Sequence, residues 1–133
     1  EPFMPMHPGV YADLLSDKMA EHGATAWLIN TGWSGGSYGE GKRMKIKYTR
    51  AMLNAALDGE LDDVEYVTDE RFGFEIPTSC EGVPAEVLIP RQTWASGESY
   101  DAMADKLASM FNKNFERYSE GVSEAVNAAA PQN

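Results

Sequence analysis

Five of the eleven basic residues in this 133-residue chain fall within nine positions: Lys42, Arg43, Lys45, Lys47 and Arg50. They follow a glycine-rich stretch, Gly32-Trp33-Ser34-Gly35-Gly36-Ser37-Tyr38-Gly39-Glu40-Gly41. Across 22–57 these cations face a single acid, Glu40, whereas the rest of the chain sets six bases against twenty acids. Glycines let backbone N–H groups approach a ligand, and clustered cations neutralise it. A small phosphate-bearing anion is therefore the first ligand class this pattern predicts.

One motif within the stretch has a named chemistry. Gly36-Ser37-Tyr38-Gly39-Glu40-Gly41-Lys42 fits the spacing G-x-x-x-x-G-K of a phosphate-binding loop. The following residue is Arg43, so the hydroxyl that would hold Mg²⁺ is missing. Lys42 to Lys47 also alternates charge with Met44 and Ile46, as a strand does and a helix start does not. The spacing is read as a coincidence. Elsewhere, His7 beside Pro8 reads as a packing or hydrogen-bonding group, and His22 as a cation at a helix C-terminus. Asp62 and Asp63 read as solvated turn acids, and Cys80 has no histidine or cation close in sequence to make it a thiolate.

The elements that would carry this island can be read from periodicity. Tyr11, Leu14, Leu15 and Met19 mark one face of a helix over 9–22, with Pro8 at its start and Gly23 as its cap. Ala24 to Asn30 reads as a strand buried on both faces, and Thr49 to Leu57 as a helix ending before Gly59. Val64 to Thr68 alternates like a strand with one wet face, and Phe72 to Pro77 reads as a short edge strand. Prolines 77, 84 and 90 make the next stretch a long ordered loop. Tyr100, Met103, Leu107, Met110, Phe111, Phe115 and Tyr118 form the strongest helical stripe, capped by Ser96 or Ser99 and expected to pack in the core. Residues 119–133 are expected to fray. The order helix, strand, glycine loop, helix, strand is α/β, with mixed short strands and three main helices. It sets the basic island at the carboxyl end of a strand, where α/β sheets bind ligands.

Composition narrows the partners. A net charge of −10 and a pI near 4.5 disfavour nucleic acid and anionic membrane surfaces. No apolar run approaches the roughly 18 residues of a membrane span. The single cysteine excludes an internal disulfide and suits a reducing, cytoplasmic compartment. A start at Glu1 without Met reads as the interior of a longer chain.

At the island the chain becomes recognisable. Leu28-Ile29-Asn30-Thr31-Gly32-Trp33 followed by Gly41-Lys42-Arg43-Met44-Lys45-Ile46-Lys47-Tyr48-Thr49-Arg50-Ala51 closely resembles ATP-dependent phosphoenolpyruvate carboxykinase. The likeness extends through Phe3-Met4-Pro5-Met6-His7-Pro8, Gly59-Glu60-Leu61-Asp62-Asp63, Phe72-Gly73-Phe74, Ile76-Pro77-Thr78, Gly82-Val83-Pro84 and Leu88-Ile89-Pro90-Arg91-Gln92-Thr93-Trp94, to about residue 118.

The resemblance implies that residues 1–133 are the C-terminal quarter of such an enzyme, an incomplete part of its mononucleotide-binding domain. It further implies conversion of oxaloacetate and ATP to phosphoenolpyruvate, ADP and CO2. The family's phosphate loop, its metal-binding residues for Mg²⁺ or Mn²⁺ and its oxaloacetate-binding arginine would lie upstream, in the remainder of the same polypeptide. The positions carried over are Arg43 and Met44 beside the adenosine and Thr49 on the adenine; no catalytic residue is carried over.

The side chains suit those roles. Arg43 offers a planar cation that stacks on a purine, Thr49 a hydroxyl for a base edge or an N-cap, and Met44 an adaptable apolar wall. Lys42, Lys45, Lys47 and Arg50 add field or pair with the acidic surface. The competing expectation is a self-contained, non-catalytic module that binds an anion or nucleotide.

Overall fold

The computed structural model describes residue 3 and residues 5–132. Helix α1 spans Pro8–His22, with proline in its first turn, where an N–H has no helical partner to lose. His7 is its N-cap, Nδ1 accepting from the Gly9 N–H at 3.2 Å. Gly23 closes the helix in the left-handed region, φ +61°, a conformation that a side chain would strain. The predicted apolar face is present but uncovered: Leu14 and Leu15 are 53% and 62% exposed.

The expected strand at 24–30 does not form. The segment is without ladder partners among the described residues, and Leu28 is 79% exposed. An apolar run can be buried on both faces only when strands flank it, and among the described residues none lies alongside. Trp27 alone reaches the core, its ring 6.5 Å from that of Tyr66.

The glycine stretch instead folds as a hairpin. β1 (Trp33–Ser34) pairs antiparallel with β2 (Lys42–Arg43), Trp33 opposite Arg43 and Ser34 opposite Lys42. Helix α2 follows over Ile46–Leu57, three residues earlier than Thr49. Its N-cap is Lys45, which makes no side-chain cap, so Thr49 lies one turn inside the helix and is no cap. At the other end the Glu60 N–H returns to the Ala55 carbonyl at 3.0 Å around Gly59, a Schellman closure.

β3 (Tyr66–Thr68) and β4 (Glu75–Pro77) form a second antiparallel pair, joined by a turn in which Asp69 Oδ1 accepts from the Arg71 and Phe72 N–H groups. Both sheets are two-stranded and antiparallel, so the α/β character is that of a small piece and not of a parallel sheet. The ordered loop expected after Pro77 does hold elements of its own, α3 (Ala85–Leu88) and a 3-10 turn over Pro90–Thr93. A small core gathers Ala55, Leu61, Cys80 and Leu88, with Met52 and Val64 packed against it.

Helix α4 spans Gly97–Phe115, capped by Ser96 Oγ, which accepts from the Ser99 N–H at 3.1 Å. Its buried residues are Ala104 and Ala108, whereas Met103, Leu107, Met110 and Phe111 of the predicted core stripe are exposed. The inward face is Asp101-Ala104-Asp105-Ala108-Asn112, where small residues admit close neighbours and polar ones find partners. Phe111 keeps one edge-on contact, with Phe72 at 6.4 Å. Residues 119–133, read as a fraying tail, carry the short helix α5 (Glu124–Ala128). The Gln132 N–H reaches the Arg71 carbonyl at 2.7 Å, and Asn112 Nδ2 donates to the Pro131 carbonyl at 2.9 Å.

Candidate functional site

The hairpin positions the predicted residues through backbone contacts on both sides of the glycine loop. The Met44 N–H donates to the Gly32 carbonyl at 2.8 Å, extending the two rungs by one bond. Inside the loop, the Glu40 and Gly41 N–H groups both return to the Ser37 carbonyl, at 3.0 and 2.8 Å. A Cβ at Gly41 would collide with the Gly36 carbonyl, so the tightness of the turn depends on glycine there.

Arg43 is exposed and Met44 is buried. Successive residues of a strand point to opposite faces, so the anchoring of one side chain sets out the other. Among the described residues none of Lys42, Arg43, Lys45, Lys47 or Arg50 forms an ion pair. Of the two roles expected for these cations, pairing with the acidic surface is absent there. Lys45 and Lys47 sit over the Tyr48 ring, 5.6 and 5.0 Å from its centroid. Thr49 is half-buried, and its hydroxyl has no hydrogen-bond partner among the described residues.

Beside the hairpin lies an open, mainly apolar groove of about 1010 Å³. Trp27, Met44, Met52, Phe74 and Trp94 wall it, together with Ser34 and Thr93. Met44 faces this groove, while Arg43 and Thr49 are not among its walls, so the three predicted residues do not share one pocket. Three groups on the groove, Cys80, Tyr66 and Tyr100, are shifted toward their neutral forms. Burial, reinforced by Glu60 and Glu81, raises the Cys80 thiol above its ordinary value. Burial and then Asp62 raise Tyr66, whose hydroxyl donates to the Leu61 carbonyl at 2.7 Å. Burial is also the main cause of the rise at Tyr100, followed by Asp69.

Sequence reasoning missed a charged network behind the hairpin. Arg91 Nε and Nη2 donate to the two carboxylate oxygens of Asp101 at 3.0 and 2.9 Å. Arg71 bridges Asp101 and Asp105. These arginines sit in a loop and in a turn, where no spacing announces a partner on α4. Their hydrogen bonds hold the Asp101 carboxyl below the ordinary aspartate range, Arg91 contributing most. Among the described residues no three His, Cys, Asp or Glu side chains come together as a metal site. Nor, among those residues, is any helix long and apolar enough to cross a membrane.

Comparison with known proteins adds to this geometry. A family model described as phosphoenolpyruvate carboxykinase matches residues 1–86. Phosphoenolpyruvate carboxykinase (ATP) 2 of Moorella thermoacetica is 56% identical over 130 residues, which is 98% of this chain and 24% of that protein. The phosphoenolpyruvate carboxykinases (ATP) of Geobacter metallireducens and Paracoccus denitrificans are 56% and 54% identical over 94% and 97% of the chain, again 24% of their own length. The chain thus spans about a quarter of these curated relatives. With the glycine hairpin and its cations inside the matched residues, the chain belongs to the ATP-dependent phosphoenolpyruvate carboxykinase family.

Proposed function

We propose that this chain supplies the adenosine-binding side of an enzyme that converts oxaloacetate and ATP to phosphoenolpyruvate, ADP and CO2, in the cytoplasm and in the service of gluconeogenesis. The observation that carries the reading is Arg43: an exposed guanidinium with no ion pair among the described residues, on a short hairpin directly before a buried Met44. A planar cation fixed in this way stacks on a purine face or reaches ribose oxygens without first breaking an ion pair. Thr49, one turn into α2 with a hydroxyl that has no partner among the described residues, serves the base edge. Met44, its N–H already given to the Gly32 carbonyl, supplies the apolar wall.

Decarboxylation of oxaloacetate leaves an enolate whose oxygen takes the γ-phosphoryl group of ATP. Such a transfer depends on positioned cations and on a divalent metal, Mg²⁺ or Mn²⁺, to neutralise the phosphoryl oxygens. These parts are assigned to the remainder of the same polypeptide, which is also this chain's first partner. Its uncovered surface supports that assignment. The chain exposes 9953 Å², about 3,000 Å² more than the roughly 6,900 Å² expected for a compact 14.6 kDa monomer. A self-contained anion-binding module would bury its own apolar faces, and the quarter-length match to the relatives does not favour it.

The test is steady-state kinetics of the full-length enzyme carrying Arg43→Ala, with each substrate varied separately. Loss of an interaction equal in ground and transition states raises KM for ATP and leaves kcat in place. Stacking and charge lost together cost about 1–3 kcal/mol, roughly 5- to 150-fold in KM. The oxaloacetate KM is expected to hold. A collapse of kcat at saturating ATP, or a rise confined to the oxaloacetate KM, would place Arg43 at the other end of the site.

A further inference from the structure

The hairpin that presents Arg43 is too short to set its own position, because two antiparallel rungs are marginal in water. One segment holds it from behind, the 3-10 turn over Pro90–Thr93. Ser34 Oγ donates to Thr93 Oγ1 at 3.3 Å, a contact between residues 59 positions apart. Thr93 spends its own proton on the Pro90 carbonyl at 2.7 Å, so its oxygen is left as an acceptor turned to Ser34. Gly35 lies closer still: a Cβ there would stand 2.6 Å from the Thr93 carbonyl oxygen, and the backbone has φ +80°. The turn is itself seated. Arg91 forks both oxygens of Asp101 on α4, and its guanidinium packs so closely on Gly97 that a Cβ there would collide with it. Ser34 pairs with Lys42, the rung next to Trp33 and Arg43.

We infer that Thr93, seated by the Arg91–Asp101 fork, is a positioning residue for the nucleotide: it fixes the glycine hairpin and so aims Arg43. The inference rests on the proposed role of Arg43. Thr93 touches the back of the hairpin and acts through Ser34, so its loss acts on ATP affinity and spares the chemical step. A residue that served stability alone would lower the melting temperature and the amount of active enzyme without separating the two KM values.

The experiment uses the full-length enzyme with Thr93→Val, Thr93→Ser, Ser34→Ala and the double variant Ser34→Ala/Thr93→Val, beside Arg43→Ala as reference. Thr93→Val is expected to raise the ATP KM by about three- to tenfold, the range for one neutral hydrogen bond, with kcat and the oxaloacetate KM held. Thr93→Ser keeps the hydroxyl and restores the ATP KM. The Ser34→Ala effect is expected not to add to that of Thr93→Val, since both remove one bond. An unchanged ATP KM in Thr93→Val, or full additivity in the double variant, overturns the inference while Arg43→Ala still raises that KM. If Arg43→Ala leaves the ATP KM unchanged, the adenosine-site reading falls and the inference with it. Should Thr93→Val not fold, Ser34→Ala decides alone: a raised ATP KM supports the inference and an unchanged one overturns it.

Discussion

Thr49 illustrates how one residue's role depends on its place in an element. At a helix start its hydroxyl would be spent on a backbone N–H, whereas one turn inside α2 it is half-buried and without a partner among the described residues. Thr49→Ala in the full-length enzyme is therefore expected to raise the ATP KM by about 0.5–1.5 kcal/mol, the worth of one neutral hydrogen bond, with no loss of melting temperature from a missing cap. A drop in melting temperature with an unmoved KM would return Thr49 to a structural role. Cys80 is the opposite case, a reactive type made inert by its surroundings. Only 8% exposed, and with burial and two glutamates raising its pKa, it stays a thiol at neutral pH. Alkylation by iodoacetamide is expected to be far slower in the native state than after denaturation; equal rates would mean that the core around Leu61 and Leu88 is open.

Among the elements, the contact of the Pro90–Thr93 turn with α4 has a distinct pH signature. Asp101 takes hydrogen bonds from Arg91 and Arg71, so its folded pKa lies below the ordinary aspartate value of 3.8. A carboxyl that ionises more readily in the folded state adds stability above its unfolded pKa and loses it as pH falls through the folded one. Asp101→Asn is thus expected to lower the melting temperature at neutral pH, and the gap from the native protein is expected to narrow below pH 3.8. A gap that stays constant down to the acid limit would show that packing, not charge, joins the turn to α4. The same helix explains why a strong sequence stripe went outward. Ala104 and Ala108 allow the neighbours to close in, and the larger Met and Phe side chains are left on the open side.

For the whole molecule the dominant quantity is uncovered apolar surface. Leu14 and Leu15 on α1, Leu28 on the unpaired run and Phe111 on α4 all face outward, around a core of only a few buried side chains. Patches of this kind mark interfaces. The 133-residue chain by itself is expected to self-associate or to melt at low temperature, and to show no metal-dependent turnover of ATP or oxaloacetate. Sedimentation velocity with a thermal melt, and assays against a boiled control, check both expectations. A monomer at high concentration with a sharp high-temperature transition, or turnover above the control, would show that the chain needs no further polypeptide.

Local signals in the sequence were enough for the three main helices, for the ends marked by Pro8, Gly23, Gly59 and Ser96, and for the family. Pro8, Gly23 and Gly59 sit where chain geometry requires them, and the run from Gly41 to Ala51 carries the likeness that the relatives bear out. Periodicity also found the β3 and β4 segments, because alternation and a terminal proline are properties of the strand itself. What covers an apolar face is a property of neighbours. Ala24 to Asn30 has the composition of a buried strand, yet stays unpaired because no strand among the described residues lies beside it. The Arg91–Asp101 fork, the Thr93–Ser34 contact and the inward turn of Ala104 and Ala108 join residues distant in the chain or select one helix face. Such choices cost and return free energy only once the chain has closed on itself, so tertiary structure alone decided them.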